Sequence, residues 1–370
     1  MHLVTPCTKY NGYNGTPGQR YLMEAPSAED QARRGYCAEV EPYNPTPIPL
    51  NLDQPPKRLL ILRCGGYGDV LFLTPSLVEL HRRFPEMEIT VSTHQHTRDA
   101  IHSPKLNHVK LIEYPVHESL LDQYDAIVTG ERIATQEMQH DASAYFAWTL
   151  GLVSEDVLHG KTAPTFDLKP VYAIEPNDLA QAWADWPRNG NRPRIGIQAE
   201  SSGKNRTYPV NLTAQLMETL IKEDHCDVFL FGVPSSKQSV QIPHFYPLPL
   251  LNPAPNYTES CAILGTMDGL IAPDSSLCHI GGAIGIPVIA LYGAFHWRQR
   301  VGHMPSVKPI QGFAKCGPCQ WHLKHDHYFP PDQPCSQKGY CSAIAQITPE
   351  RIRKTLWRHI ETTATLTDYV

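Results

Sequence analysis

Short runs of continuous apolar residues, in two series on either side of a polar break, constrain this chain more than any other feature. The first series is Leu59–Leu62, Ile89–Ser92, Val109–Glu113 and Ala126–Thr129; the second is "RIGIQA", "DVFLFG", "DGLIAP" and "PVIALYG", which begin at residues 194, 227, 268 and 287. A strand with one wet face alternates apolar and polar residues. Strands apolar on both faces belong to a parallel sheet covered on both sides. Helix-compatible segments lie between several of these runs, and Thr74-Pro75 reads as an N-cap and first-turn proline for "SLVELHRRF". Residues 171–193, rich in Pro, Asn and Gly, separate the two series. The expectation is an α/β chain of two Rossmann-like, doubly wound domains facing a cleft, with ligands at the carboxyl ends of the strands. A length of 370 residues is enough for both.

Residues 1–57 read as a small α+β appendage and a linker. Strands are expected at Tyr21–Glu24 and Tyr36–Glu41, with a helix start at Ser27 and a stop at Gly35 between them. This unit is too small to bury a core of its own and is expected to dock on something. "PYNPTPIPLNLDQPPK" then reads as an extended proline-rich spacer. The domain boundaries follow: a first Rossmann-like domain over 58–180, a second over 181–345 that includes a cysteine cluster at 316–341, and a C-terminal helix within 346–370. Thr348 caps that helix, Pro349 opens it, and Ile352, Leu356, Trp357 and Ile360 form its apolar stripe.

A formal charge of −5 gives no general pull toward nucleic acid. No apolar run approaches the length of a membrane span, and the N-terminus lacks a signal-peptide core. A cytoplasmic protein is expected; peripheral contact with a membrane is compatible with this.

"LLILRCGGYGDVLFLTPSL", residues 59–77, carries a strand into Gly65-Gly66-Tyr67-Gly68-Asp69. This is neither G-x-G-x-x-G nor a P-loop, and no acid ends the next strand to hold a ribose. Two readings are open for Asp69. It is a helix N-cap carboxylate, or it is a general base aimed at a substrate hydroxyl, with Gly65, Gly66 and Gly68 clearing room for the acceptor. In the second half, "IAPDSSLCHIGGAIGIP" ends a strand at Pro273-Asp274 and opens a helix at Ser275 and Ser276, with Leu277 and His279 on its first turn. Helix N-terminal N–H groups and two hydroxyls suit a diphosphate, and ordinary capping is the other reading. "QAESSGKNRTYP" puts Ser201, Ser202, Lys204 and Arg206 on one strand-to-helix loop, either a phosphate grip or a solvated loop.

The order of these motifs resembles the glycosyltransferase family 9 heptosyltransferases over residues 58–360, most specifically in D-S-S-L-C-H-I-G-G-A-I-G-I-P. The resemblance implies a GT-B fold and inverting sugar transfer, with heptose moved from ADP-heptose to a glycan, a lipopolysaccharide core or a protein. It implies that Asp69 is the catalytic base and that Arg206, with Lys204 as the alternative, stands where the family has a phosphate-binding lysine. It further implies that Ser201, Ser202, Ser275, Ser276, Leu277 and His279 surround the diphosphate and that Asp274 contacts donor sugar hydroxyls. Gly232 is followed by "VPSSKQ", without the family's glutamate. No D-x-D triplet occurs in the chain, so catalysis is expected to need no metal and no cofactor. A nucleotide-sugar epimerase and a non-catalytic nucleotide-sugar binding or scaffold protein are the rival readings.

Cys316, Cys319, Cys335 and Cys341 form C-x2-C-x15-C-x5-C, with His322, His325 and His327 inside the loop. A structural Zn or Fe site, disulfide pairs and free thiols are all compatible with this spacing. The metal reading has a direct test: purified protein should carry close to one equivalent of Zn or Fe, and a chelator should lower its melting temperature. Elemental analysis finding no metal under reducing conditions would leave only the other two.

Overall fold

In a computed structural model of the chain, residues 1–6, 19–23, 28, 32, 36–129, 140–201, 203–233, 243–249, 256–319 and 341–367 are described. The chain divides into a first compact unit that ends at Tyr172 and a second that runs from Ala173. Both are α/β units built on a parallel sheet.

The first unit holds β1 (His2–Pro6), β2 (Tyr21–Met23), β3 (Cys37–Pro42), β4 (Arg58–Leu62), β5 (Glu88–Thr93), β6 (Val109–Glu113), β7 (Val116–His117) and β8 (Ala126–Thr129). Its parallel sheet has the order β6-β5-β4-β8. The first strand in sequence, β4, therefore has β5 on one side and β8 on the other. The connections depart in opposite directions from that point, which leaves a crevice at its carboxyl end. Leu59 and Ile61 face one side of the sheet and Leu60 and Leu62 the other, and all four are buried.

The cover over Leu60 and Leu62 is unusual for a parallel sheet, where helices are the common solution. Here a second, antiparallel sheet of order β3-β1-β2-β7 supplies it. Val4, Leu22 and Val116 share one core with Leu60, Leu62 and Ile127. The N-terminal residues thus bury their apolar faces on the parallel sheet. The strands expected at Tyr21 and Tyr36 are β2 and β3, and His2–Pro6, which the sequence pattern does not mark, runs between them. The proline-rich segment that follows is bound rather than loose. The Thr46 N–H donates to the Ile127 carbonyl at 2.9 Å, and the Leu50 N–H donates to that of Thr149 at 3.0 Å. It thereby covers the otherwise open edge of β8.

The second unit holds β9 (Arg194–Gln198), β10 (Asp227–Val233), β11 (Phe245–Pro249), β12 (Gly269–Pro273), β13 (Val288–Tyr292) and β14 (Val307–Gln311). All six are parallel, in the order β11-β10-β9-β12-β13-β14, so the strand order again reverses beside the first strand, between β9 and β12. The helix Ser276–Ile284 lies close on this sheet because Gly281 and Gly282 carry no side chain. A Cβ at Gly281 would come within 2.7 Å of Val288, and one at Gly282 within 2.5 Å of Met304. Part of the polar break is itself helical, over Pro176–Asp185. It is fixed to this unit by Arg188, whose guanidinium forks onto Asp268 at 2.8 and 3.0 Å.

The C-terminal helix, Pro349–Thr367, closes the second core. Thr348 Oγ1 accepts the Arg351 N–H at 3.3 Å, as its capping position predicts. Ile352 and Leu356 are fully buried, with Trp357 and Ile360 packed beside them. Asp224 receives the Arg353 guanidinium and the Trp357 indole N–H, at 2.6 and 3.0 Å. No helix among the described residues is long and apolar enough to cross a membrane.

Leu356→Ala should therefore destabilise the protein by about 2–5 kcal/mol, as expected for emptying a buried leucine site. Lys354→Ala, on the exposed side of the same helix, should cost less than about 0.5 kcal/mol. Chemical denaturation showing equal losses would refute the packing assigned to this face.

Candidate functional site

Each unit places its candidate residues at the point where its strand order reverses. In the first, the chain leaves β4 through Arg63, whose N–H donates to the Ser92 carbonyl of β5 at 2.9 Å. It then turns through Gly65 and Gly66 into the short helix Tyr67–Leu71. Asp69 Oδ2 accepts the Gly66 N–H at 2.9 Å, which is the capping contact. Its Oδ1 faces Arg63 Nη2 at 3.3 Å. The Asp69 side chain is 28% exposed and that of Arg63 is 4% exposed. The capping geometry is therefore present, and the side chain remains partly exposed. Gly65 is where the missing side chain matters. A Cβ there would stand 2.5 Å from Arg63 Nη2 and 2.7 Å from Asp69 Cβ, whereas one at Gly66 would make only an ordinary contact.

In the second unit the candidate residues converge on Asp274, at the end of β12. Arg206 Nη1 donates to its carbonyl at 2.8 Å and lies 3.3 Å from its Oδ2. His279 Nε2 lies 3.2 Å from Oδ1, and Arg300 Nε lies 3.8 Å from Oδ2. The Asp274 side chain is only 4% exposed. Burial alone would raise its ionisation range. The hydrogen bond from His279 and the charges of Arg206 and Arg300 outweigh that and hold the carboxyl well below its ordinary value. Burial, with Asp274 alongside, pushes the Cys278 thiol and the Tyr292 phenol up, so neither contributes charge. Two guanidiniums against one carboxylate leave the cluster net positive before His279 is counted. The helix Ser276–Ile284 adds the positive end of its dipole.

The loop after β9 brings Arg206 to this place. The Tyr208 N–H donates to the Ala199 carbonyl at 2.8 Å, and its hydroxyl donates to the Ile347 carbonyl at 2.6 Å. The aromatic-proline pair of the motif is thus a peg for the loop. Ser275 caps its helix and donates its hydroxyl to Gln198 Oε1 at 2.6 Å. Leu277 is fully buried, Ser276 and Ser201 are half-buried, and Ser202 and the Lys204 side chain lie outside what is described. Arg63, Gln198 and Arg300 are the residues sequence reasoning missed. Nothing distinguishes buried Arg300 from its neighbour Arg298, which lies exposed by the Trp297 ring.

Of the cysteine cluster, Cys335 and the histidines at 322, 325 and 327 lie outside the described residues. The Cys316–Cys319 turn and Cys341 both border Gly293: Cys341 Sγ would be 3.2 Å from a Cβ there, and a Cβ at Gly317 would be 3.3 Å from the Gly293 carbonyl. Among the described residues no three His, Cys, Asp or Glu side chains come together as a metal site.

The family model described as Glycosyltransferase family 9 (heptosyltransferase) matches residues 155–320. This bears out the resemblance read from the motifs, and the match includes Arg206 and residues 274–279 but not Asp69. The fold is similar to that of ADP-heptose lipopolysaccharide heptosyltransferase II of E. coli, at 16% identity, over 82% of this chain and 99% of that one, with a TM-score of 0.56. It is also similar to a family 9 glycosyltransferase of Veillonella parvula, at 14% identity, over 83% and 98% of the two chains, with a TM-score of 0.61. A third is the dodecameric iron-containing heptosyltransferase TibC of enterotoxigenic E. coli. Its complex with ADP-D-β-D-heptose matches at 13% identity, over 83% of this chain and 77% of that one, with a TM-score of 0.58. At such identities the likeness is one of fold. No curated protein matches the sequence.

Asp274→Ala would leave Arg206 and Arg300 buried without their counter-charge. The expected loss of stability is about 3–5 kcal/mol, read by chemical denaturation at neutral pH. A carboxyl held below its unfolded value stabilises the fold above about pH 4 and ceases to as the pH falls through its folded value. The wild-type advantage over Asp274→Asn should therefore shrink only in strong acid. Equal stability of both variants and wild type at pH 7 would contradict the ion network.

Proposed function

We propose that this chain is an inverting glycosyltransferase that moves heptose from ADP-heptose to an acceptor hydroxyl on a glycan, a lipopolysaccharide core or a protein. The observation that carries the reading is the net-positive cluster of Arg206, Arg300, His279 and Asp274 at the N-terminus of the helix Ser276–Ile284. Buried guanidiniums and a helix N-terminus together suit a departing diphosphate. The family match over this region and the fold shared with heptosyltransferases support the same assignment.

The chemistry divides between the units in the manner of a GT-B enzyme. Asp69 accepts the proton of the acceptor hydroxyl. The oxygen forms its bond to the anomeric carbon on the face opposite the leaving group, and the bond from that carbon to the diphosphate oxygen breaks. The electron pair leaves on the nucleoside diphosphate, whose charge Arg206 and Arg300 offset while the Ser276 hydroxyl donates a hydrogen bond to it. In this scheme no step passes through a metal. A structural Zn or Fe at Cys316, Cys319, Cys335 and Cys341 would take no part in it. Asp274, with its oxygens turned to cations, positions Arg206 and His279 in this scheme rather than touching the sugar.

A thermal-shift panel of nucleotide-sugars should show the largest rise in melting temperature with ADP-heptose. With ADP-heptose and de-acylated lipopolysaccharide core, Asp69→Asn should lose about 100- to 10,000-fold in ADP release, the usual worth of a general base. Its calorimetric affinity for ADP should stay within twofold of wild type. Asn caps a helix about as well as Asp, so a full-speed Asp69→Asn protein would reduce Asp69 to a cap and end this mechanism.

A further inference from the structure

The Gly65 position raises a question of its own. A glycine in a loop at the carboxyl end of a strand is usually read as room for a ligand, yet the volume over Gly65 is filled from within. The Arg63 guanidinium and Asp69 Cβ both stand closer to the site of its absent Cβ than real Cβ atoms ever come to a neighbour. Arg63 is buried, and its guanidinium lies 5.7 Å from the centre of the Phe146 ring. Its burial against this ring restricts where it can move.

We propose that Arg63 is a positioning residue that holds Asp69 for proton abstraction, and that Gly65 is glycine so that this pair can form. The proposal rests on Asp69 being the base. The geometry gives the pair a specific function. Oδ2 accepts the Gly66 N–H at 2.9 Å and Oδ1 lies 3.3 Å from Arg63 Nη2, so a hydrogen bond and an ion pair act on the two oxygens. Each carboxylate oxygen has a second lone pair, and the exposed part of Asp69 is where an acceptor hydroxyl can reach one. The guanidinium remains protonated throughout and takes no proton from the reaction. The Arg63 side chain therefore orients the base without occupying both of its oxygens.

The test uses the full-length protein, ADP-heptose and de-acylated lipopolysaccharide core, with ADP release as the signal. Arg63→Met deletes the cation, and Gly65→Ala crowds both members of the pair, the guanidinium and Asp69. Both should lower kcat by up to about 100-fold, the cost of a roughly 1 Å misplacement of a reacting group. KM for ADP-heptose and calorimetric ADP affinity should stay within twofold. Arg63→Lys should recover part of kcat, and added guanidinium should recover part of it in Arg63→Ala. A purely structural Arg63 would instead show lowered melting temperatures with no rescue of kcat by lysine or guanidinium, and that result overturns the proposal. It also falls alone if Asp69→Asn is inactive while Arg63→Met and Gly65→Ala both keep more than a third of wild-type kcat. A wild-type protein that releases no ADP, or a fully active Asp69→Asn, removes the reading beneath it as well.

Discussion

Taking a carboxylate out of water costs several kcal/mol unless cations and hydrogen-bond donors replace the solvent. At Asp274 that replacement comes from three segments of the second unit. Arg206 arrives from the loop after β9, His279 from the helix after β12, and Arg300 from the short helix Arg298–Val301 after β13. Satisfying one buried charge thus fixes the relative positions of the connections on both sides of the strand-order reversal. Ser275 adds a direct strand-to-strand tie through Gln198. Because the cations outnumber the carboxylate, the arrangement that stabilises Asp274 also leaves positive charge at the mouth of a helix.

Asp69 is the contrasting case. It lies beside the strand-order reversal of the first unit's sheet, next to the Arg63 guanidinium, and keeps part of its surface in water. A buried carboxylate enclosed by cations is an organising charge. A partly exposed one keeps contact with solvent. The difference lies in burial and neighbours: Asp274 directly follows β12, whereas Asp69 lies in the first turn of the short helix after β4.

The parallel strands were legible because continuous apolar runs have few alternatives: β12 and β13 are buried along their whole length, as their composition demands. Thr348 and the stripe on the last helix were legible for the same kind of reason, local pattern. The helix Pro176–Asp185 was hidden by its polar surroundings, although Pro176 at its first turn was a usable signal; only Ala182 is buried on it. β1 was hidden because "HLVTP" has no clear period. The ion partners were not legible at all. Nothing local says that Arg300 turns inward while Arg298 turns out, or that Arg63 folds back over Gly65. The sequence placed Asp274 in the site, but its enclosure by cations is a property of three distant segments meeting.

The antiparallel sheet over Leu60 and Leu62 has a consequence for how the chain acquires its structure. β2 pairs with β7, a strand made about a hundred residues later, between β6 and β8 of the parallel sheet. During synthesis the N-terminal residues emerge first but have no complete partner surface until Val116–His117 and β8 have followed. Long-range pairings of this kind are slow to close and leave apolar strands exposed while they wait. Val4, Leu22 and Met23 are among the side chains left without cover in that interval. This segment thus waits for residues made about a hundred positions later, and chaperone dependence should be concentrated there.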